Sequence, residues 1–359
     1  MVSQVTPANT LLIICVGAGK TSLVEILAGK SKSGVVSGKI AFESETPSSK
    51  HSFRVGFVPQ QDILPATLTV FEALLFAARL RLPESITDQE KKERVNNLLE
   101  KLGISHIKDS RIGDVTGGKV RGISGGEMRR VSMGLELVAS PDVLLLDEPT
   151  SGLDSVSAAR VADVLYAIAH DPVQPTPIIA SIHQPRLAAF FLESNVSSKI
   201  FISSRLYQKF DLVLLLAHGR ALYCGPGSFA PVTHFASVAP GQVSQYQEGY
   251  NVAEYLLEVA NDPPTHLFQT HATQNSLATI AEKGAARYPP ENGRQQKTAL
   301  RSKARSGYAA TFLTQLQYLC GREWKILKRD KTLFLTHVTV AAVLGVFCGK
   351  YLLSLHGTL

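Results

Sequence analysis

Short apolar runs alternate with amphipathic stretches from position 11 to about position 260. Four of these runs are apolar almost throughout, which is typical of strands buried on both faces of a parallel sheet. They lie at 11–16, 143–146, 178–182 and 211–216. Between them, the stretches at 89–102 and 156–170 have the pattern of helices. The alternation predicts an α/β domain.

The pattern changes after position 261. Residues 262–306 are rich in Pro, Gln, Thr, Lys and Arg, which predicts a basic flexible linker. Residues 307–331 predict an amphipathic connecting helix with basic residues near its end. Residues 332–355 predict a transmembrane helix, because an apolar segment of this length covers a bilayer core of about 30 Å. A buried helix of a soluble domain is the alternative.

Charge is concentrated in one part of the chain. The net charge of the chain is +7. The segment from position 283 to 331 has 12 basic and three acidic residues, so its own net charge is more positive than that of the whole chain. This argues against a nucleic-acid-binding surface and predicts contact with membrane lipid, with a solvated linker as the alternative. Basic residues before the predicted span place that end on the cytoplasmic side. Four separated cysteines without a CxxC pair exclude a zinc ribbon and fit a reducing compartment.

A glycine-containing segment after the first predicted strand resembles half of a phosphate-binding loop. Small residues let consecutive backbone N–H groups surround phosphates, and the lysine of such a loop binds the β- and γ-phosphates. The expected nucleotide contacts are Gly17, Ala18, Gly19, Lys20, Thr21 and Ser22, with Thr21 also a Mg²⁺ ligand. The first glycine of a complete G-x-x-x-x-G-K-[ST] motif would stand at Ile14, so we expect weaker nucleotide binding than a complete loop gives.

Two further motifs complete the pattern. The apolar run 143–146 ends in Asp147 and Glu148, which the strand places at the carboxyl edge of the sheet. We expect Asp147 to hold Mg²⁺ and Glu148 to act as the general base toward water. Upstream, Ser124, Gly125, Gly126 and Glu127 form a capping box whose exposed N–H groups favour an anion; an ordinary capped helix is the alternative.

These motifs, in this order, resemble the nucleotide-binding domain of ATP-binding-cassette (ABC) proteins, from Gly17 to about Gly227. The resemblance implies a P-loop NTPase fold over residues 1–261, with a mixed, mostly parallel sheet and a helical subdomain. It also implies a Q-loop role for Gln60, as a catalytic residue and metal ligand, a D-loop role for Asp154 and a switch role for His183. Residues 191–207 exceed the family spacing and read as an insertion.

The segments around 120–130, 181–186 and 68–72 resemble the white-brown (G-type) transporters, and the stretch at 250–256 resembles their fungal branch. In this subfamily the ATPase precedes the membrane domain, as in the order predicted here. Family members need about six spans, and this chain offers one. We interpret the first 16 residues, the insertion and the early end as features of a truncated or misassembled gene model, a hypothesis that the native transcript tests.

The resemblance implies an ATP–Mg²⁺ sandwich between two protomers, in a homodimer or a heterodimer with another half-transporter. One protomer supplies Lys20, Thr21, Gln60, Asp147, Glu148 and His183, and the other supplies Ser124, Gly125, Gly126 and Asp154. The expected function is ATP-driven export of a lipid-like or xenobiotic small molecule by an integral membrane protein with a cytoplasmic nucleotide-binding domain. A non-catalytic nucleotide-binding remnant and a soluble ABC ATPase are the alternatives.

Overall fold

The computed structural model describes residues 10–16, 19–30, 36, 40, 53–113, 122–182, 207–247, 250–264, 267 and 309–356, with the backbone alone described for 11–16, 331–333 and 350–356. The expected linker at 262–306 and insertion at 191–207 lie almost wholly outside these residues. Tyr207, the last residue of that insertion, is buried in the core, where its hydroxyl donates to the carbonyl of Ser228 at 2.8 Å.

Six strands, nine α-helices and one short 3₁₀ helix (Ser105–Ile107) make up the described part of the chain. The strands are β1 (Thr10–Val16), β2 (Val55–Val58), β3 (Val143–Leu146), β4 (Ile178–Ile182), β5 (Leu212–Ala217) and β6 (Arg220–Pro226). The helices are α1 (Lys20–Leu27), α2 (Val70–Arg81), α3 (Asp88–Lys101), α4 (Gly125–Leu137), α5 (Ser155–Ala169), α6 (Ala230–Val238), α7 (Val252–Asn261), α8 (Phe312–Arg329) and α9 (Lys331–His356).

The strands form one sheet in the order β2-β3-β4-β1-β5-β6. The first five are parallel, and β6 pairs antiparallel with β5 at the edge. The β5–β6 connection turns at His218 and Gly219, both with positive φ (49° and 75°), as a tight hairpin between right-twisted strands requires. The predicted α/β fold with a mostly parallel sheet is confirmed, and the four apolar runs are strands within a residue of the expected bounds.

The sheet is buried on both faces, which explains why its strands are apolar without alternation. Along β3, Leu144 and Leu146 face the larger core, while Val143 and Leu145 face a smaller one under α1. Side chains of α2, α3, α4 and α5 fill the larger core. Because both faces are covered, the loops at the carboxyl edge of the parallel strands are left to bind a ligand.

The helix α8 contacts α2 through charged and aromatic groups. Arg329 donates to both carboxylate oxygens of Glu72 and to the carbonyl of Thr67. The guanidinium group of Arg322 lies 4.7 Å from the ring centroid of Phe76. The structure places this helix at 312–329, within the expected 307–331, with its end attached to the surface of α2.

Apolar side chains along α9 are exposed from 334 to 347, so this helix is not buried against the described part of the chain. No single helix among the described residues is long and apolar enough to cross a membrane. In the part of the chain that the structure describes, one pair of helices meets that length and composition when taken together: α8 and the 334–349 part of α9, which are bent by 98°. The transmembrane helix at 332–355 therefore stays a prediction.

Candidate nucleotide site

The phosphate loop leads directly into α1. Gly19, the residue before this helix, has φ +94°, a conformation that residues with a Cβ rarely adopt, so glycine is required there. Lys20 is the first residue of α1, and the exposed Thr21 and Ser22 follow in the same turn. The first N–H groups of a helix have no partner within it and carry its positive dipole end. This turn therefore suits an anion.

The strand β1 extends further toward the phosphate loop than a complete motif would allow. Cys15 and Val16 pair with Leu216 and Ala217 of β5 as regular parallel partners. Only residues 17–19 separate β1 from α1. Ile14, which stands where a complete motif has its first glycine, is therefore part of the strand. Only a short turn remains before α1.

Three segments distant in the sequence meet at the Glu148 carboxylate. The ammonium group of Lys20 lies 3.2 Å from Oε1, and the side-chain amide of Gln60 donates to Oε2 at 2.8 Å. The side chains of Lys20 and Glu148 are only 11% and 8% exposed. A buried carboxylate needs such partners, because an unpaired charge away from water is costly.

The backbone of Glu148 is held in the left-handed region, with φ +47°. This conformation costs a residue with a side chain about 1–2 kcal/mol, so surrounding contacts must maintain it. Its N–H donates to the hydroxyl of Ser181 at 3.0 Å, and that hydroxyl donates to the Asp147 carboxylate at 2.6 Å. Ser181, fully buried in β4, ties the two acidic residues to the neighbouring strand.

The three side chains expected to hold Mg²⁺ offer the kind of ligand atom that this ion prefers. Asp147 offers a carboxylate, Thr21 a hydroxyl and Gln60 an amide oxygen, and all are oxygen ligands. Among the described residues, no group of three or more His, Cys, Asp or Glu side chains is arranged to hold a metal ion. This donor set fits a Mg²⁺ that keeps waters and binds phosphate oxygens beside one or two protein groups.

The Ser124 loop begins α4 with the predicted capping box. Ser124 donates from its N–H (2.8 Å) and its hydroxyl (2.7 Å) to the Glu127 carboxylate, and its hydroxyl accepts from the N–H of Glu127 (3.4 Å). Burial raises the pKa of the Glu127 carboxyl, but the hydrogen bonds from Ser124 and the contact with His106 together outweigh burial and lower it. Ser124 and Gly125 are exposed at the helix start, where an anion is favoured.

Asp154 caps the neighbouring helix α5. Its carboxylate accepts from the N–H groups of Val156 and Ser157, and the bonds from Ser157 lower its pKa. The starts of α4 and α5 lie side by side. They are so close that a Cβ added to Gly126 would come within 2.7 Å of the Ser157 Cβ. Glycine is therefore needed at position 126, where the two helices approach each other closely.

The predicted site residues thus fall into two groups. One group joins Lys20, Gln60, Asp147 and Glu148 at the carboxyl edge of the sheet, with Thr21 and Ser22 next to Lys20. The other places Ser124, Gly125, Gly126 and Glu127 beside the start of α5, which Asp154 caps. Gly17, Ala18 and His183 lie outside the described residues, so their expected roles stay predictions.

The sequence alone does not predict the roles of two residues in this region. Ser181 carries a weak signal, as a polar residue within an otherwise apolar strand. Arg129, in α4, is buried and donates to the carbonyl groups of Asp147 and Glu148. Beside Arg130, it would be read as part of a solvated basic face.

The fold and the site define a P-loop nucleotide-binding domain of ABC type, an ATP-binding domain. Residues 9–151 match the ABC transporter family. The chain is 39% identical to ABC transporter G family member 22 of Arabidopsis thaliana over 245 residues, covering 68% of this chain and 29% of that relative. It is 37% identical to ABC transporter G family member 22 of Dictyostelium discoideum over 244 residues, covering 67% of this chain and 35% of that relative.

A third relative matches nearly the whole chain. It is the broad substrate specificity ATP-binding cassette transporter ABCG2 of Mus musculus, 31% identical over 358 residues, 93% of this chain and 50% of that relative. The chain belongs to the ABC transporter family, and these relatives place it in the G subfamily. It spans between 29% and 50% of their lengths. The assignment to the fungal branch stays a prediction.

Proposed function

We propose that this chain is the ATP-binding and ATP-hydrolysing subunit of a G-type ABC transporter. The convergence of Lys20 and Gln60 on the buried Glu148 carboxylate carries the proposal. Lys20 binds the β- and γ-phosphates of ATP, which releases Glu148 from its ion pair. Glu148 then accepts a proton from the attacking water, which Gln60 orients.

The neighbouring residues support this reaction. Thr21, Gln60 and Asp147 would hold Mg²⁺, whose charge would offset that of the phosphates. Gly17, Ala18, Gly19 and Ser22 complete the phosphate loop, and His183 contacts the γ-phosphate. The hydroxyl of Ser181 donates a hydrogen bond of 2.6 Å to the Asp147 carboxylate and so restricts its position.

The two residue groups of the site fit a sandwich of two protomers. The lysine-bearing group of one protomer binds ATP, and the Ser124–Glu127 helix start of the other covers its γ-phosphate, with Asp154 adjacent. Negative phosphate groups then lie between an ammonium group and a helix N-terminus, both of which stabilise them. The partner protomer is a second copy or another half-transporter.

The C-terminal helices support a membrane role. The apolar side chains of α9 are exposed, as at Phe347 (69%) and Leu335 (65%), and suit lipid. Lys328, an exposed basic residue near the end of α8, is placed to contact anionic lipid at the cytoplasmic surface. We propose that the first membrane span lies at 332–355, that α8 transmits nucleotide-driven motion to it, and that the transported molecule is lipid-like or xenobiotic.

Phosphate release by the full chain in detergent, with ATP and Mg²⁺, tests the reaction. We expect Glu148→Gln to reduce turnover at least 100-fold, as removal of a general base does, while ATP binding persists. Glu93→Gln, an exposed carboxylate change on α3, is the matched control and should retain wild-type turnover. Equal turnover in wild type and Glu148→Gln would refute the role of Glu148.

One observation favours a second candidate, a non-catalytic nucleotide-binding subunit. Because β1 continues to Val16, the turn before Lys20 offers fewer backbone N–H groups to phosphate than a complete loop. Such a subunit would bind ATP and release no phosphate above background, and Glu148→Gln would change nothing. The assay above separates the two candidates.

A further inference from the structure

Arg129 lies in the second turn of α4 and is only 3% exposed. A guanidinium group has five N–H donors, and here each has an acceptor. Nη1 donates to the carbonyl of Pro59 at 2.5 Å and to the carboxylate of Asp62 at 2.9 Å. Pro59 directly precedes Gln60, so one edge of the guanidinium group holds the loop that carries Gln60.

The remaining donors bind the loop after β3. Nη2 donates to the carbonyl groups of Asp147 (2.7 Å) and Glu148 (3.1 Å), and Nε donates to that of Pro149 (3.2 Å). These carbonyl groups lie on both sides of the left-handed Glu148 backbone. Together with the bond from Glu148 N–H to Ser181, they hold the strained residue in place.

Arg129 also belongs to a rigid element whose start forms the other residue group. It lies about one helical turn from the Ser124–Gly126 end of α4. A displacement of that end therefore moves the guanidinium group, and with it the carbonyl groups on either side of Glu148. A surface arginine could not transmit such a shift, because its contacts with water adapt freely.

We propose that Arg129 is a positioning residue that holds Gln60 and Glu148 in reactive geometry and relays the position of the Ser124 end of α4 to them. The inference rests on the proposed function, in which that helix end covers the ATP of the partner protomer. Each protomer then connects the two ATP sites of the dimer: its Ser124 end senses one site, and its Glu148 acts in the other.

The adjacent Arg130 provides a matched control. It is also buried (7% exposed), but it donates to the carbonyl groups of Gly126, Leu102 and Gly103. Two of these acceptors lie at the end of α3, away from Glu148. Arg129→Lys and Arg130→Lys each remove a buried guanidinium group while keeping the charge, and they differ in which loops lose their support.

Steady-state phosphate release by the full chain, with ATP binding measured separately, tests the positioning role. We expect Arg129→Lys to lower kcat about 10- to 100-fold with ATP affinity within about threefold, because misplaced reacting groups cost this much. Arg130→Lys should stay within about threefold in kcat. Asp62→Ala, which removes one of five acceptors, should be intermediate. Equal kcat values for the two lysine variants would overturn the positioning role.

A double-mutant cycle tests the relay. If Ser124 and Arg129 act along one path, the double variant Ser124→Ala/Arg129→Lys should lose less kcat than the product of the two single losses. Independent effects, with the double variant at the product of the single ones, would overturn the relay. Ser124→Ala combined with Arg130→Lys gives the comparison.

Amide hydrogen exchange of the nucleotide-free chain is independent of turnover. Arg129→Lys should raise exchange about tenfold in segments 57–63 and 146–153, and Arg130→Lys should raise it around 102–106 instead. The same exchange pattern in both variants would overturn the assignment. If the wild-type chain released no phosphate, the proposed function would be refuted. The exchange experiment would still show whether Arg129 supports the loops around Gln60 and Glu148.

Discussion

Replacing Arg329 should weaken the attachment of α8 to α2. The guanidinium group binds both oxygens of Glu72, at 2.5 and 2.9 Å, and Lys325 adds a longer contact of 3.3 Å to the same carboxylate. Glu72 also completes the capping box of α2 with Thr69. We therefore choose Arg329→Met, because a change at Glu72 would disturb α2 itself.

The expected loss of free energy can be worked out from the pKa shift of the Glu72 carboxyl. Burial raises its pKa, but hydrogen bonds from Arg329, from the Thr69 N–H and from Lys325 outweigh burial and lower the pKa from 4.5 to about 2. Converted in full, this shift is about 3 kcal/mol. The carboxylate lies at the surface with its side chain 21% exposed, so solvent screening reduces the value. We expect a loss of about 1–2 kcal/mol.

The pH dependence has a definite sign. A carboxyl whose pKa is lower in the folded state stabilises it above the unfolded pKa. The contribution of Glu72 is therefore complete above pH 4.5 and disappears as the pH falls toward 2. The difference between wild type and Arg329→Met should shrink over the same interval.

Hydrogen exchange of the α8 amides, compared between variants at each pH, measures this attachment. At pH 7 we expect Arg329→Met to raise exchange about 5- to 30-fold, the equivalent of 1–2 kcal/mol. Lys325→Met, which removes only the longer contact of an exposed side chain, should have a smaller effect. Equal exchange in all three chains, or a difference as large at pH 2 as at pH 7, would refute the reasoning.

Three further changes test the site. Replacing residues 14–16 by Gly-Pro-Ser should raise ATP affinity in a nucleotide titration, because more backbone N–H groups then face phosphate; unchanged affinity would show that the native residues are tolerated. Gly126→Ala should lower the free energy of unfolding by about 1–3 kcal/mol, and Ser157→Gly should restore it in denaturant unfolding, since the new Cβ collides with Ser157. Ser181→Ala should cost about 1–3 kcal/mol in the same assay, because the Glu148 N–H loses its acceptor; no loss would contradict that role.

Elements with local chemical causes could be predicted from the sequence. The apolar runs mark β1, β3, β4 and β5 because strands covered on both faces have no polar side. The Ser124 capping box marks the start of α4, since its hydrogen bonds span only three residues.

Features that depend on distant partners could not be predicted in this way. The burial of Arg129 depends on loops about 20 and 70 residues away, and its neighbours along the chain do not reveal them. The left-handed backbone of Glu148 is maintained by Ser181, 33 positions later. The extension of β1 to Val16 follows from pairing with β5, which outweighs the turn tendency of the glycines that follow.

The central place of β1 in the sheet has a consequence for biosynthesis. Its neighbours β4 and β5 are encoded about 170 and 200 residues after it, and Asp211 accepts from the N–H of Thr10 across 201 positions. More than 200 residues must leave the ribosome before this strand has both partners. Until then its open edges can pair with other chains, so nascent copies are exposed to aggregation when translation stalls before β5.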